Sequence, residues 1–358
     1  MSPSNSRLGV AGLPPNIFAV VMATGIVSLA AAGAGYGAVA HALFVLNAVL
    51  YPLLLALFLV RLATARAAVA EDFTDHAKAP GFFTMVAGPC VLGNQFVLLT
   101  DWPGVAAVLL GVGLLHWVVF TYLMLPNLIT AQVKPSPERG LSGAWLLVVV
   151  GTQAVSILTG LLVPRLSPTP EWALFAALAF WLAGSMIYLW IISQIFNRIL
   201  FLPLAPNDLT PPYWINMGAM AIATLAGARL VGLADRSPLL AELLPFLKGM
   251  TLLFWATATW WIPILLVLGV WRHLTRHFPL TYDHGYWAAV FPLGMYTVCT
   301  RTMSDALHLP YLSPISDAFI WIALIAWAAT FLGLVRRLVG PRAGLPRDRT
   351  PPGTGMAA

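Results

Sequence analysis

Residues 14–29 read PPNIFAVVMATGIVSL. The apolar part, from about Asn16 to Ala32, is longer than the h-region of a signal peptide, and no clear basic segment precedes it. It reads as a first membrane-spanning helix. Four later stretches repeat its plan: PGFFTMVAGPCVLGNQF at 80–96, LSGAWLLVVVGTQAVSIL at 141–158, PPYWINMGAMAIATLAG at 211–227 and GYWAAVFPLGMYTVCT at 285–300. Each begins near an aromatic residue and carries a glycine several residues later. These glycines are Gly25, Gly88, Gly151, Gly218 and Gly294, separated by 63, 63, 67 and 76 residues. A near-constant period marks a repeated supersecondary unit. Here the unit is a helical hairpin occurring five times.

Composition agrees. Of 358 residues, 59% are hydrophobic and 9% are charged, whereas a soluble domain carries about 25% charged residues. Soluble and disordered classes are excluded. A spanning helix takes about 20 apolar residues. Apolar runs between Gly, Pro and charge breaks predict ten helices, over 15–34, 38–61, 81–100, 103–125, 140–163, 171–197, 212–233, 244–271, 284–303 and 314–337. The expected class is an all-α membrane protein: ten transmembrane helices as five hairpins, odd helices around a central pore. Residues 1–14 form a cytoplasmic N-terminal segment, 15–338 the transmembrane domain and 339–358 a disordered basic tail. Cys90 and Cys299 fall in apolar stretches and read as small buried hydrophobes rather than a disulfide.

The basic residues orient the bundle. With both termini on one side, that side gathers fourteen of the nineteen Lys and Arg, against four opposite and Arg229 inside a span. By the positive-inside rule both termini are cytoplasmic, in a plasma (inner) membrane. The net charge of +6 therefore belongs to loops and implies no nucleic-acid partner. The partners expected are lipid and a small solute.

Polar groups concentrate in the odd helices, among them Thr24, Thr152, Asn216 and Thr300, while the even helices hold ten of the fourteen Trp. Trp favours lipid and interface positions. Hydroxyls and amides at membrane depth favour a wet interior. The odd helices therefore read as pore-lining, with Thr24, Asn216 and the five glycines as path candidates. The competing reading is that small residues let helices pack closely.

At these residues the chain resembles the tellurite-resistance/dicarboxylate transporter family, which includes tellurite-resistance permeases, malic acid permeases, sulfite efflux pumps and slow-type anion channels. The resemblance lies in FAVVMATGIVSLAA, FFTMVAGPCVLGNQF and YWAAVFPLGMYTVCT. It implies ten helices around a quasi-five-fold pore, and a homotrimer. It also implies that Phe291 is a gating phenylalanine and that Pro292 and Gly294 bend the ninth helix beside it. Phe18 and Phe83 are further pore-lining candidates. VMATGI and VFPLGMYT point to the malate/C4-dicarboxylate branch. Export of sulfite, tellurite or another small inorganic anion is the alternative.

All thirteen Asp and Glu fall in loops, tails or helix ends. Cation pathways commonly use intramembrane carboxylates, so the chemistry favours anions. Arg229 and Arg301, near the outer ends of helices seven and nine, would form a positive vestibule that raises local anion concentration or binds a carboxylate bidentately. The alternatives are snorkelling and pairing with Asp235 or Asp305. His273, His277 and His284 lack the further ligands of a metal site, and no nucleotide or hydrolase motif occurs. The expectation is a transporter without metal or cofactor rather than an enzyme.

Overall fold

The computed structural model describes residues 9–166 and 170–339; the tail from 340 onward, expected to be disordered, lies outside the described residues. No strand occurs among them. Nine helices are long and apolar enough to cross a membrane. They are α1 (Pro15–Gly33), α2 (Gly37–Thr64), α3 (Ala79–Thr100), α4 (Pro103–Thr130), α5 (Gly143–Arg165), α6 (Glu171–Phe201), α7 (Pro211–Val231), α8 (Leu244–Thr275) and α10 (Pro310–Val339). Between α8 and α10 lies α9 (Trp287–Leu307), a 21-residue helix. It falls outside the apolar set because hydroxyls, Pro292 and the charged Arg301 and Asp305 dilute its hydropathy.

Burial alternates along the chain. In the most apolar stretches of α1, α3, α5 and α7, 78–89% of residues are buried, against 17–33% in α2, α4, α6, α8 and α10. In α9, 14 of 21 residues are buried. The buried helices pack in chain order, α1 on α3, α3 on α5, α5 on α7, α7 on α9, and α9 back on α1. They close a five-membered ring. Each exposed helix packs on the buried helix before it and also touches the one that follows, α10 reaching round to α1.

A local signature accompanies the ring. Every inner helix opens with a tight 3-10 turn: Pro15–Phe18, Ala79–Phe83, Gly143–Leu146, Pro211–Trp214 and His284–Tyr286. Of the outer helices, α10 alone shows such a turn among the described residues, at Pro310–Leu312. Proline near the start suits this position, because its missing N–H is one the first turn leaves unbonded anyway.

The five repeat glycines sit where inner helices meet. A Cβ on Gly88 would face Phe18 and Val21 of α1; on Gly151, Phe83 and Val86 of α3; on Gly294, Ile26 and Val27 of α1. On Gly218 it would lie 2.6 Å from the Pro292 ring of α9, and on Gly25 2.6 Å from Val91 of α3 and 2.8 Å from Asn47 of α2. The repeat therefore sets the ring's close spacing. For these glycines the packing reading replaces pore lining.

The polar residues of the inner ring are also redirected. The Trp327 indole of α10 donates to Thr24 of α1 (3.0 Å), Trp117 of α4 to Thr152 of α5 (2.9 Å), and Trp255 of α8 to Thr300 of α9 (3.0 Å). Trp181 of α6 donates to the Ala223 carbonyl of α7 (2.9 Å), and Asn47 of α2 to Gln95 of α3 (2.7 Å). So each outer helix gives one N–H to the inner helix that follows it. An indole N–H at membrane depth has no water to bond, so it takes a partner in the protein. Thr24 thus belongs to the contact between rings, which corrects its reading as pore lining. Only part of the even-helix Trp set faces outward: Trp172, Trp190, Trp260 and Trp321 are exposed, whereas Trp181 and Trp261 are buried.

Candidate functional site

Two cavities lie at opposite ends of the ring. The larger, about 700 Å³, is lined by the C-terminal ends of all five inner helices. Its walls include Leu29 and Gly33 of α1, Asn94 and Val97 of α3, Ile157 and Arg165 of α5, Leu225 and Arg229 of α7, and Thr297, Val298, Arg301 and Asp305 of α9. The smaller, about 340 Å³, lies at the starts of the same helices, against Asn16, Ala77, Ser142, Pro211, Pro212 and Gly285. All five inner helices therefore run in the same direction, and α9 reaches from one cavity to the other like the rest.

Phe291 lies between the cavities. Residues 291, 298 and 305 are spaced by seven, two helical turns, and so share one face of α9. Val298 and Asp305 line the larger cavity. Phe291 lies about 10 Å deeper on that face, and about 9 Å from Gly285 at the other mouth, at 1.5 Å per residue. Its ring is 1% exposed. By helical phase, Phe291 thus continues the cavity-facing stripe of α9 into the buried interior between the two cavities.

The other two phenylalanines behave differently. Phe18 meets Tyr51 of α2 edge-on (centroids 6.0 Å apart), and Phe83 meets Phe120 of α4 (5.8 Å). Both rings reach the outer layer, which corrects their placement as pore lining. Asn216 is also turned away from the axis. It stands eleven residues, three turns, before Gly227, and that glycine faces Trp181 and Thr251 of outer helices. The Asn216 side chain is buried and its amide has no partner, while its backbone carbonyl accepts from Tyr188 of α6.

Three arginines line the larger cavity, one more than the sequence singled out. Arg165 forms an ion pair with Asp101, the left-handed residue ending α3 (φ 56°). Arg301 pairs with Asp317 of α10, not with Asp305. Arg229 makes no ion pair or hydrogen bond among the described residues, and its Nε is buried without a partner. Among the described residues, Asp305 is the one carboxylate in the lining. Arg165 could have been found from its place: it ends an inner helix, as Arg229 and Arg301 nearly do.

The field along the axis follows from helix direction. Five helix N-termini, each with partial positive charge, converge on the smaller mouth. Arg139 and Arg198 line it as well, opposed by Glu138, Asp208 and Asp283. Arg198 is 3% exposed; it donates to the Tyr213 hydroxyl and to the Glu138 carbonyl (2.9 Å). A hydrogen bond from the Ser136 hydroxyl holds the exposed Glu138 carboxyl below its usual range. At the larger cavity the five C-termini turn partial negative charge inward, and the three arginines oppose it. Anion-favouring charge is thus supplied by helix ends at one mouth and by side chains at the other.

Comparison with known proteins gives a consistent answer. The sequence profile of the voltage-dependent anion channel family (SLAC1) matches residues 12–335. An uncharacterized membrane protein of Mycobacterium tuberculosis is 40% identical over 152 residues, covering 42% of this chain and 77% of that protein. Two uncharacterized transporters of Methanocaldococcus jannaschii are similar over most of their length. One is 24% identical over 89% of this chain and 91% of its own; the other is 23% identical over 90% and 93%.

Proposed function

This chain belongs to the voltage-dependent anion channel family, a family of membrane transport rather than catalysis, and from that premise we propose that small anions cross the bilayer along the axis of the five-helix ring, past a gate formed by Phe291. Transport of anions across a membrane is the family's role. In the proposed path α9 is a tenth span, and the ten helices act as five hairpins. Arg229 and Arg301 concentrate anions in the larger cavity, and Phe291 blocks the waist by filling it. Pro292 removes one backbone hydrogen bond from α9 directly after the gate, so the helix can flex there. The observation that supports this reading is that Phe291, in helical phase with the cavity-lining Val298 and Asp305, is buried along α9 between the two cavities.

The preferred substrate is a C4-dicarboxylate such as malate. Arg229 supports this choice, since an unpaired guanidinium suits a carboxylate. The Lys and Arg distribution supports an inner-membrane orientation with both termini cytoplasmic, and the homotrimer rests on the family resemblance.

The test is reconstitution. Purified protein in proteoliposomes is screened with malate, succinate, sulfite, nitrate and chloride, with and without a pH gradient. The reading expects uptake of malate and succinate above the inorganic anions, and higher flux of every transported anion in Phe291→Ala. Preference for sulfite would transfer the substrate to the inorganic class. Unchanged or lower flux in correctly folded Phe291→Ala would remove the gate.

A further inference from the structure

The end of α8 builds a feature that the axis does not use. Its last turn, Trp271–Thr275, widens into a π turn, and the chain then reverses. The Arg276 amide donates to the Trp271 carbonyl (2.9 Å), and the Phe278 amide to the Arg272 carbonyl (3.1 Å). His273 bonds the Phe278 carbonyl through Nδ1 (2.9 Å), and His277 adopts φ 50°. The reversal stacks three arginines on rings. Arg272 lies 4.3 Å from the Phe278 centroid, Arg276 5.6 Å from Trp271, and Arg337, near the end of α10, 6.0 Å from Tyr282. Gly333 lets α10 come this close, because a Cβ there would be 2.6 Å from the Tyr282 ring. One short loop thus gathers guanidinium groups from two outer helices.

Arg272 is 9% exposed, forms no ion pair or hydrogen bond through its side chain among the described residues, and has a buried, unpartnered Nε. The carboxylate nearest in sequence, Asp283, is otherwise engaged: it accepts from the Gly285 amide (2.6 Å) and stands 3.8 Å from His284. A cation–π contact is a weak return for burying a charge, so the geometry favours an anion at this guanidinium. The rim says which kind. Val270 and Leu274 of α8, Leu280 of the loop and Leu338 and Val339 of α10 are all more than half exposed. A soluble anion gains nothing from such a rim, whereas a lipid has a phosphate for the arginines and acyl chains for the aliphatic side chains.

We propose that this loop binds the phosphate headgroup of an anionic glycerophospholipid, held by Arg272 and Arg276 with Arg337 completing the positive collar. The site is separate from the transport axis and stands whether or not the proposed substrate is correct. The test uses the full chain, delipidated in detergent, and native mass spectrometry with phosphatidylglycerol or phosphatidylcholine of identical acyl chains. The expected result is preferential binding of phosphatidylglycerol. It weakens about tenfold in Arg276→Gln and in Arg272→Gln, because each substitution takes away roughly one positive charge beside the phosphate. It is unchanged in Arg165→Gln at the opposite end. Arg276→Gln carries the test if Arg272→Gln does not fold. Equal binding of the two lipids, an equal weakening in Arg165→Gln, or retention of the preference in Arg276→Gln overturns the proposal. So does saturable binding of inorganic phosphate that phosphatidylglycerol cannot displace.

Discussion

Gly218 and Gly88 occupy matching places in two repeats, yet alanine should act oppositely at them. On Gly218 a Cβ would lie 2.6 Å from Pro292 Cγ, 2.9 Å from its Cβ and 3.3 Å from its Cα. Carbon atoms pack at about 3.5–4.0 Å, so α7 and α9 must separate by roughly 0.9 Å. The proline ring cannot swing aside as a flexible side chain would. On Gly88 the nearest atoms, Phe18 Cβ and Val21 Cγ1, are at 3.6 and 3.7 Å, so the methyl group fits. Alanine gains up to about 1 kcal/mol of helix propensity at either site. Overpacking at Gly218 costs about 1–3 kcal/mol. The two variants should therefore differ by roughly 1–3 kcal/mol, which is a few degrees in melting temperature. Thermal unfolding in detergent, followed by size-exclusion chromatography, should rank Gly88→Ala at or above wild type and Gly218→Ala below it. Flux adds a second readout. Pro292 adjoins the proposed gate, so Gly218→Ala should change basal anion flux while Gly88→Ala leaves it unaltered. Equal melting temperatures with equal flux would refute the ring geometry at the α7–α9 contact.

Arg229→Gln should raise the half-saturating anion concentration about ten- to a hundredfold, the value of one charge-assisted hydrogen bond. Arg301→Gln should do less, because Asp317 already engages that guanidinium; concentration-dependent uptake gives the order, and its reversal would discard Arg229 as the anion contact. Trp117→Phe removes the bond to Thr152 and should cost about 0.5–1.5 kcal/mol of stability. Trp190→Phe, at an exposed position, should cost less, and equal thermal losses would show that the indoles do not hold the two rings together.

Much of the architecture was legible because a bilayer constrains it so tightly. Apolar runs and their polar breaks place the long helices within a few residues of where they lie. The glycine period marks the inner helices correctly, as burial of α1, α3, α5, α7 and α9 shows. What misled was the inference from residue type to direction. Thr24 looked like a wet-path hydroxyl, but it accepts the Trp327 indole across the α1–α10 contact. The ten tryptophans of the outer helices looked lipid-facing as a class, but Trp181 is fully buried and bonded to α7. Phe291 was read as the gate and Phe18 and Phe83 as pore-lining candidates; the ring contacts of Phe18 and Phe83 turn those two toward the outer layer. Pairing of Arg301 with Asp305, its i+4 neighbour, was one alternative reading; a carboxylate from the next helix, Asp317, reaches it instead.

The amino-acid sequence alone determined that this is a membrane-embedded helical chain, which segments alternate, and that no acidic group falls at mid-depth of a span. Those properties follow from composition along the chain, because hydrocarbon accepts only backbone whose polar groups bond one another, and runs of about 20 apolar residues do so as helices. Tertiary structure decided which way each side chain points and which of the three arginines forms no ion pair among the described residues. Lipid tails and a packed interior are equally apolar, so hydropathy has no contrast between the side of a helix that faces lipid and the side that faces its neighbours. Only the closed ring of five helices creates that difference, and with it the buried interior in which Phe291 lies.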